Sequence, residues 1–139
     1  MTELVRFGWK PVFQQAMFEY GEHLSPVRVT EVHRSGLRVA PPLTAFDELP
    51  LAGKWFQLPP EERPTVGDWL AVDSENGSIA GILPRISEIK RVSPGGDVQM
   101  IAANIDTAFV VTSANNDFNR GRIERYLAVL LEADIQPVV

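Results

Sequence analysis

The sequence contains no cysteine. That removes disulfides and thiolate metal sites and fits a reducing compartment. No stretch approaches the roughly 18–20 apolar residues of a membrane span. The opening, MTELVRFGWK, lacks the charged-then-apolar layout of a signal peptide. A cytoplasmic location and no membrane contact are expected. Histidine is scarce: His23 and His33 stand alone, with no partner motif for a metal. The G-x-x-x-x-G-K-[ST] phosphate loop is missing, since Gly53-Lys54 runs into Trp55 and no glycine precedes it at the required spacing. Neither a Ser/His/Asp layout nor a pair of carboxylates suited to acid–base work emerges. The chain is therefore expected to carry no catalytic, cofactor-binding or metal-ligating residue of its own.

What is present suffices for a folded core. Of 139 residues, 45% are hydrophobic and 22% charged, which is the composition of a globular protein and argues against disorder. The length is that of about one average domain, or of two small ones. Eleven prolines favour short strands and turns over a helical bundle. The net charge of −5 means that an anionic partner has to be met by a local patch.

Three textures follow one another. Residues 1–25 form an N-terminal helical segment in which Phe13, Ala16, Met17 and Tyr20 fall at helical spacing, with Pro11 at the start and Gly21 past the end. Residues 26–98 break into short apolar stretches. Val27–His33 and the run from Leu37 read as a hairpin about Arg34-Ser35-Gly36. Val27 and Val29 share one parity while Val32 takes the other, which predicts a bulge or bend near Glu31. PPLTAFDELP reads as a long loop and Gly53–Leu58 as the third strand. VGDWLAVD and IAGILP follow as a hairpin around Asn76-Gly77, and ISEIKRV as an edge segment. Five strands with uneven loops predict a mainly β fold, a five-stranded OB-type Greek-key barrel, with a sandwich or an SH3-like barrel as rivals.

SPGGD (93–97) reads as a linker or boundary turn. Beyond it, residues 99–139 change period. Ala108–Val111 is a continuous apolar run, Asn119 fits an N-cap, and Ile123, Tyr126, Leu127, Leu130 and Leu131 recur as on one helix face. IQPVV opens another strand. The expectation is a truncated βαβ beginning of a larger α/β domain, because one helix cannot cover both faces of a parallel sheet. An uncovered strand at the end also allows self-association.

The candidate contacts are basic residues of the barrel region: Arg28, Arg34, Arg38, Lys54, Arg85, Lys90 and Arg91. On strand exteriors and loops they would suit single-stranded nucleic acid, which OB barrels bind. Arg34 sits at a hairpin tip, and Trp55 or Phe56 could stack on bases while the other fills the core. The competing reading is that these cations only solvate the surface, since residues 1–98 hold ten basic against thirteen acidic residues.

VGDWLAV, GILPRISEIKR and QMIAANIDTAFVVTSANNDFNRGRIERYLAVLLEADIQPVV, in this order, resemble the N-terminal part of the ribosome small-subunit-dependent GTPase A family, RsgA (also called YjeQ). GWKPVF and AGKWF extend the likeness over Phe7–Leu58. The resemblance implies an OB barrel followed by a circularly permuted GTPase domain, often with a zinc-bearing C-terminal segment. It implies GTP hydrolysis with Mg2+, and docking of the barrel on small-subunit ribosomal RNA. In that family the guanine-reading Asn-Lys-x-Asp element follows the strand that IQPVV begins, so the nucleotide site has no positions in these 139 residues. A rival function is a protein-interaction module that packs on its own GTPase domain or on ribosomal proteins.

Overall fold

The computed structural model describes residues 2–43, 46–112 and 119–139, with the backbone alone for residues 2, 3, 42, 43 and 46. Two helices open the chain, α1 (Thr2–Val5) and α2 (Pro11–Tyr20). Five strands follow: β1 (Leu24–Val32), β2 (Gly36–Leu43), β3 (Phe46–Pro50), β4 (Trp69–Asp73) and β5 (Ile79–Ile82). They form one antiparallel sheet in the order β3-β2-β1-β4-β5. Three hairpin-connected strands with a fourth returning beside the first make a Greek key. The sheet is curled, mainly-β and of OB type, as the strand count predicts.

The curl originates where the valine parity broke. β1 pairs with β2 in one register up to Val29↔Val39 and resumes at Glu31↔Arg38, so one residue is extra in β1. This bulge bends β1, which pairs with β2 on one side and β4 on the other. Val27, Val29, Leu37, Val39, Leu49, Leu70 and Val72 then meet on the concave side.

β4 is buried on both faces. Leu70 and Val72 enter the sheet core, while Trp69 and Ala71 face the opposite way onto Trp9, Phe13 and Met17. This explains why WLAV is apolar without alternation. The amphipathic stripe of α2 thus has its partner in the outer face of β4, with the Trp9 and Trp69 rings 4.7 Å apart and nearly perpendicular.

The third strand departs from the sequence reading. Gly53–Phe56 is a single helical turn, α3, and the third strand is Phe46–Pro50, inside the stretch read as a loop. Pro41 and Pro42 concealed it. They lie in β2 between Arg38↔Glu48 and Leu43↔Phe46, where the ladder to β3 is interrupted, so no pairing there needs their missing N–H. The strand reading of Gly53–Leu58 failed because neighbours on one helical turn point about 100° apart, which imitates in–out alternation over two residues. Trp55 is buried against the core and Phe56 is exposed.

ISEIKRV does not extend the barrel. β6 (Glu88–Val92) pairs with β7 (Val98–Ala103), and residues 93–97, read as a linker or boundary turn, are the turn between them. The expected division after residue 98 therefore falls within a hairpin. The following unit has the predicted order. β8 (Thr107–Phe109) runs parallel to β9 (Gln136–Val138), with α4 (Arg120–Glu132) between them in sequence. Asn119 caps α4, its Oδ1 accepting from the Arg122 N–H at 3.0 Å. Val110, Leu130 and Ile135 form a small core there with Ile89, Ile105, Ile123 and Leu127 around it. Val111 of the apolar run lies exposed past β8, and Ser113–Phe118 lie outside the described residues.

Candidate nucleic-acid interface

The seven candidate cations separate by what their side chains already hold. Arg28 projects from β1 into a half-buried gap between three parts of the chain. It donates to the carbonyls of Phe7 (2.6 Å), Gly67 (3.0 Å) and Asn104 (2.7 Å), and its guanidinium lies 5.9 Å from the Trp69 ring centroid. Burial pushes its pKa below the ordinary arginine value, and the pull of Asp106 and Asp68 opposes this; the group stays charged.

Arg85 is also occupied internally. It meets the fully buried Asp68 carboxylate side-on, Nε to Oδ1 at 2.7 Å and Nη2 to Oδ2 at 2.8 Å. Its remaining donors reach the carbonyls of Glu61 and Arg63 and the Glu88 carboxylate. The hydrogen bonds it donates to Asp68 hold its pKa above the ordinary arginine value, with desolvation acting against them. Such a two-pronged pair is the geometry in which arginine exceeds lysine.

Arg38 lies on the exposed side of β2 between Glu48 (2.9 Å) and Glu31 (3.6 Å), so its charge is answered locally. Four of the set remain available. Arg34 is exposed at the β1–β2 tip, Lys54 on α3, and Lys90 and Arg91 on β6. Lys90 is 3.8 Å from the Glu88 carboxylate. Lys90 and Arg91 are adjacent on a strand and leave by opposite faces, so PRISEIKR is dense in sequence but does not form one patch.

One basic group outside the predicted set matters here, beside one of the two rings expected to stack. Arg63 lies over the exposed Phe56 ring at 5.9 Å. The Ser35 carbonyl accepts from the Leu51 N–H at 3.4 Å, tying the β1–β2 tip to the segment leading into α3. The tip that carries Arg34 is thus joined in backbone to the segment leading into α3, where the Lys54 ammonium lies 5.7 Å from the Trp55 ring centroid and Phe56 has Arg63 over it. No sequence signal marked Arg63, because its neighbours Glu61 and Glu62 hide it in an acidic stretch. Among the described residues no group of three or more His, Asp or Glu side chains is placed to hold a metal ion, and no helix is long and apolar enough to cross a membrane.

Comparison with known proteins gives a consistent answer. The profile of the RsgA GTPase family matches residues 82–139. A small ribosomal subunit biogenesis GTPase, RsgA 2, of Vibrio vulnificus is 41% identical over 139 residues, covering 98% of this chain and 38% of that protein. The chain resembles the N-terminal part of the RsgA family. An RsgA of Xylella fastidiosa (strain M23) is 42% identical over 129 residues, covering 90% of this chain and 38% of its own length. Among solved structures, YloQ, described as a circularly permuted GTPase, superposes with a TM-score of 0.53 at 21% identity, covering 84% of this chain and 39% of its own. That likeness speaks for the fold.

The stretches that carry the RsgA resemblance converge in space. Val66 of VGDW accepts from the Ala103 N–H at 2.8 Å, and Gly67 accepts from the Asn104 amide at 3.0 Å; both donors belong to AANID. Asp68 binds Arg85 of ILPR. Lys10, from GWKPVF, reaches Asp106 at 2.6 Å. These motifs therefore build a polar seam that ties the sheet to the end of the β6–β7 hairpin and to the segment leading into the βαβ unit, rather than a reaction centre.

Proposed function

We propose that this chain is the ribosome-docking part of a cytoplasmic GTPase that acts in small-subunit biogenesis, and that its OB-type sheet contacts small-subunit ribosomal RNA. What supports the reading is the name borne by a relative that is 41% identical along 98% of the chain. The chain spans 38% of that relative's length, so GTP hydrolysis is proposed for the parent protein. The residues here do not fit the groups that this activity implies. The sequence has no phosphate loop for GTP and Mg2+, and the described residues have no cluster for zinc. The 139-residue chain is accordingly expected to leave the fluorescence of mant-GTP unchanged; saturable binding at micromolar concentration would refute this.

RNA contact is assigned to Arg34, Lys54, Lys90 and Arg91, whose side chains are exposed. Arg28 and Arg85 serve the seam instead. The test is binding to protein-free 16S-type RNA as a function of salt. Removing one cation that neutralises a phosphate should flatten the log K against log[salt] slope by about 0.7–0.9. Replacing Lys90 and Arg91 together by alanine should weaken binding and flatten the slope. Since the two leave opposite faces, the single substitutions should differ in size, the residue on the RNA-facing side having the larger effect. Parent-like binding by the double variant removes β6 from the interface.

The acidic balance and the exposed Phe109, Val111 and Val138 beside β8–β9 favour a second reading, a protein-contact module covering that apolar side with a partner or a second copy. It predicts no binding to protein-free RNA. Light scattering reporting a dimer would assign the surface to self-association.

A further inference from the structure

We propose that Phe56, with the Arg63 guanidinium laid over it, is a stacking platform for one unpaired RNA base, and that Lys54 and Arg34 meet the adjoining phosphates. The inference rests on the RNA reading above and adds a ligand feature to it, a splayed-out nucleotide.

The geometry is built by a short return of the chain. α3 buries Trp55 and leaves Phe56 48% exposed. After the tight turn Pro60–Glu62 the chain comes back, and Arg63 donates from Nε to the Leu58 carbonyl at 2.8 Å and from Nη2 to the Phe56 carbonyl at 3.1 Å. Two bonds to fixed backbone oxygens hold a flat cation against an exposed ring, 5.9 Å from its centroid. The other guanidinium hydrogens remain for a ligand. Unpaired bases stack on both aromatic rings and arginine planes, and every base has such a face to offer.

Charge selects the occupant. Among the described residues, Lys10, Arg38, Arg85, Lys90 and Arg120 each have a carboxylate within 4.0 Å, whereas Arg34, Lys54 and Arg63 have none, as is also true of Arg28 in the seam and Arg91 on β6. In a chain of net charge −5, a half-exposed aromatic with a guanidinium over it, and two further cations without carboxylate partners on the segments connected to it, are complementary to a polyanion with apolar faces. Glu62 is exposed on the intervening turn and would disfavour close phosphate approach on that side, which places the phosphates toward Lys54 and Arg34.

The experiment measures binding of the 139-residue chain to a fluorescein-labelled single-stranded RNA dodecamer and to its duplex. The single strand should bind more tightly. Phe56→Ala and Phe56→Leu should each weaken the single strand roughly 5- to 150-fold, the range for loss of one stacked base, with an unchanged salt slope. Phe56→Tyr should restore binding, and Lys54→Ala should instead flatten the slope by about 0.7–0.9. The leucine variant keeps the apolar bulk, so its loss would be due to the missing ring. If Phe56→Ala and Phe56→Leu bind like the parent while Lys54→Ala weakens, the platform is refuted and RNA docking stands. If the parent chain binds neither RNA, both fall.

Discussion

Asp68→Ala should lower the folding stability of the chain by about 3–5 kcal/mol, the cost of leaving one member of a buried ion pair without its partner. The Asp68 side chain is 0% exposed and that of Arg85 10%, so water cannot replace the carboxylate. That group does two jobs at once. It accepts both forks of Arg85, and its Oδ2 also takes the Thr65 N–H at 2.8 Å. Removing it strands a guanidinium that Glu88 and two carbonyls only partly satisfy, and it frees the turn that leads into β4. The measurement is urea unfolding of the single variants Asp68→Ala and Arg85→Ala and of the double variant. Because the two residues share one network, the double variant should cost less than the sum, with a coupling of about 1–3 kcal/mol. Additive losses, or a loss below about 1 kcal/mol for Asp68→Ala, would mean that the pair is not what holds the turn.

This pair also shows where sequence reading reaches its limit. Arg85 is a candidate for RNA because it sits in the densest basic cluster, PRISEIKR, yet the local Glu88 meets it from one side and its other partners, Asp68 and the carbonyls of Glu61 and Arg63, lie 17 to 24 residues away. Arg28 is the stronger case, as its acceptors lie 21, 39 and 76 residues away. A guanidinium satisfied by backbone oxygens leaves no trace in composition or spacing, since every residue has a carbonyl. By contrast, features set by neighbours were legible. The parity fault among Val27, Val29 and Val32 located the bulge, and the apolar stripe of Ile123, Leu127 and Leu130 with Asn119 before it located α4. β3 was hidden because its strand character depends on pairing with β2 across two prolines, a tertiary fact. Residues 93–97 left linker and turn undivided because a glycine pair serves both; the positive φ of Gly96 (+89°) belongs to the β6–β7 turn. The candidate interface was legible only in part. Arg34 and Lys54 were marked by charge and position, whereas Arg63 is brought to Phe56 by a turn that periodicity does not encode.

Gly67→Ala should be as damaging as the loss of Asp68, for a reason of space. Gly67 has φ +95°, where a side chain is already strained, and a Cβ built there would lie 1.9 Å from the Ala103 carbonyl oxygen. That oxygen cannot simply retreat. Ala103 is tied to the Val66 carbonyl through its N–H, and the next residue, Asn104, donates to Gly67 itself while its own carbonyl takes Arg28. Gly67 is likewise pinned from the other side, its N–H donating to the Val29 carbonyl at 2.9 Å. Backbone strain at such a φ costs about 1–3 kcal/mol, and forcing atoms into a packed region costs about another 1–3 kcal/mol. Gly96→Ala is the control. Gly96 has a similar φ of +89° but open space around the added methyl, so only the conformational part, roughly 1–2 kcal/mol, should be lost. The difference between the two variants in urea unfolding then isolates the clash. Hydrogen exchange should agree, with Gly67→Ala exposing the amides of Gly67, Ala103 and Asn104 together. Equal losses in the two variants would show that the seam yields without cost, and that the sheet and the end of β7 are joined more loosely than their hydrogen bonds imply.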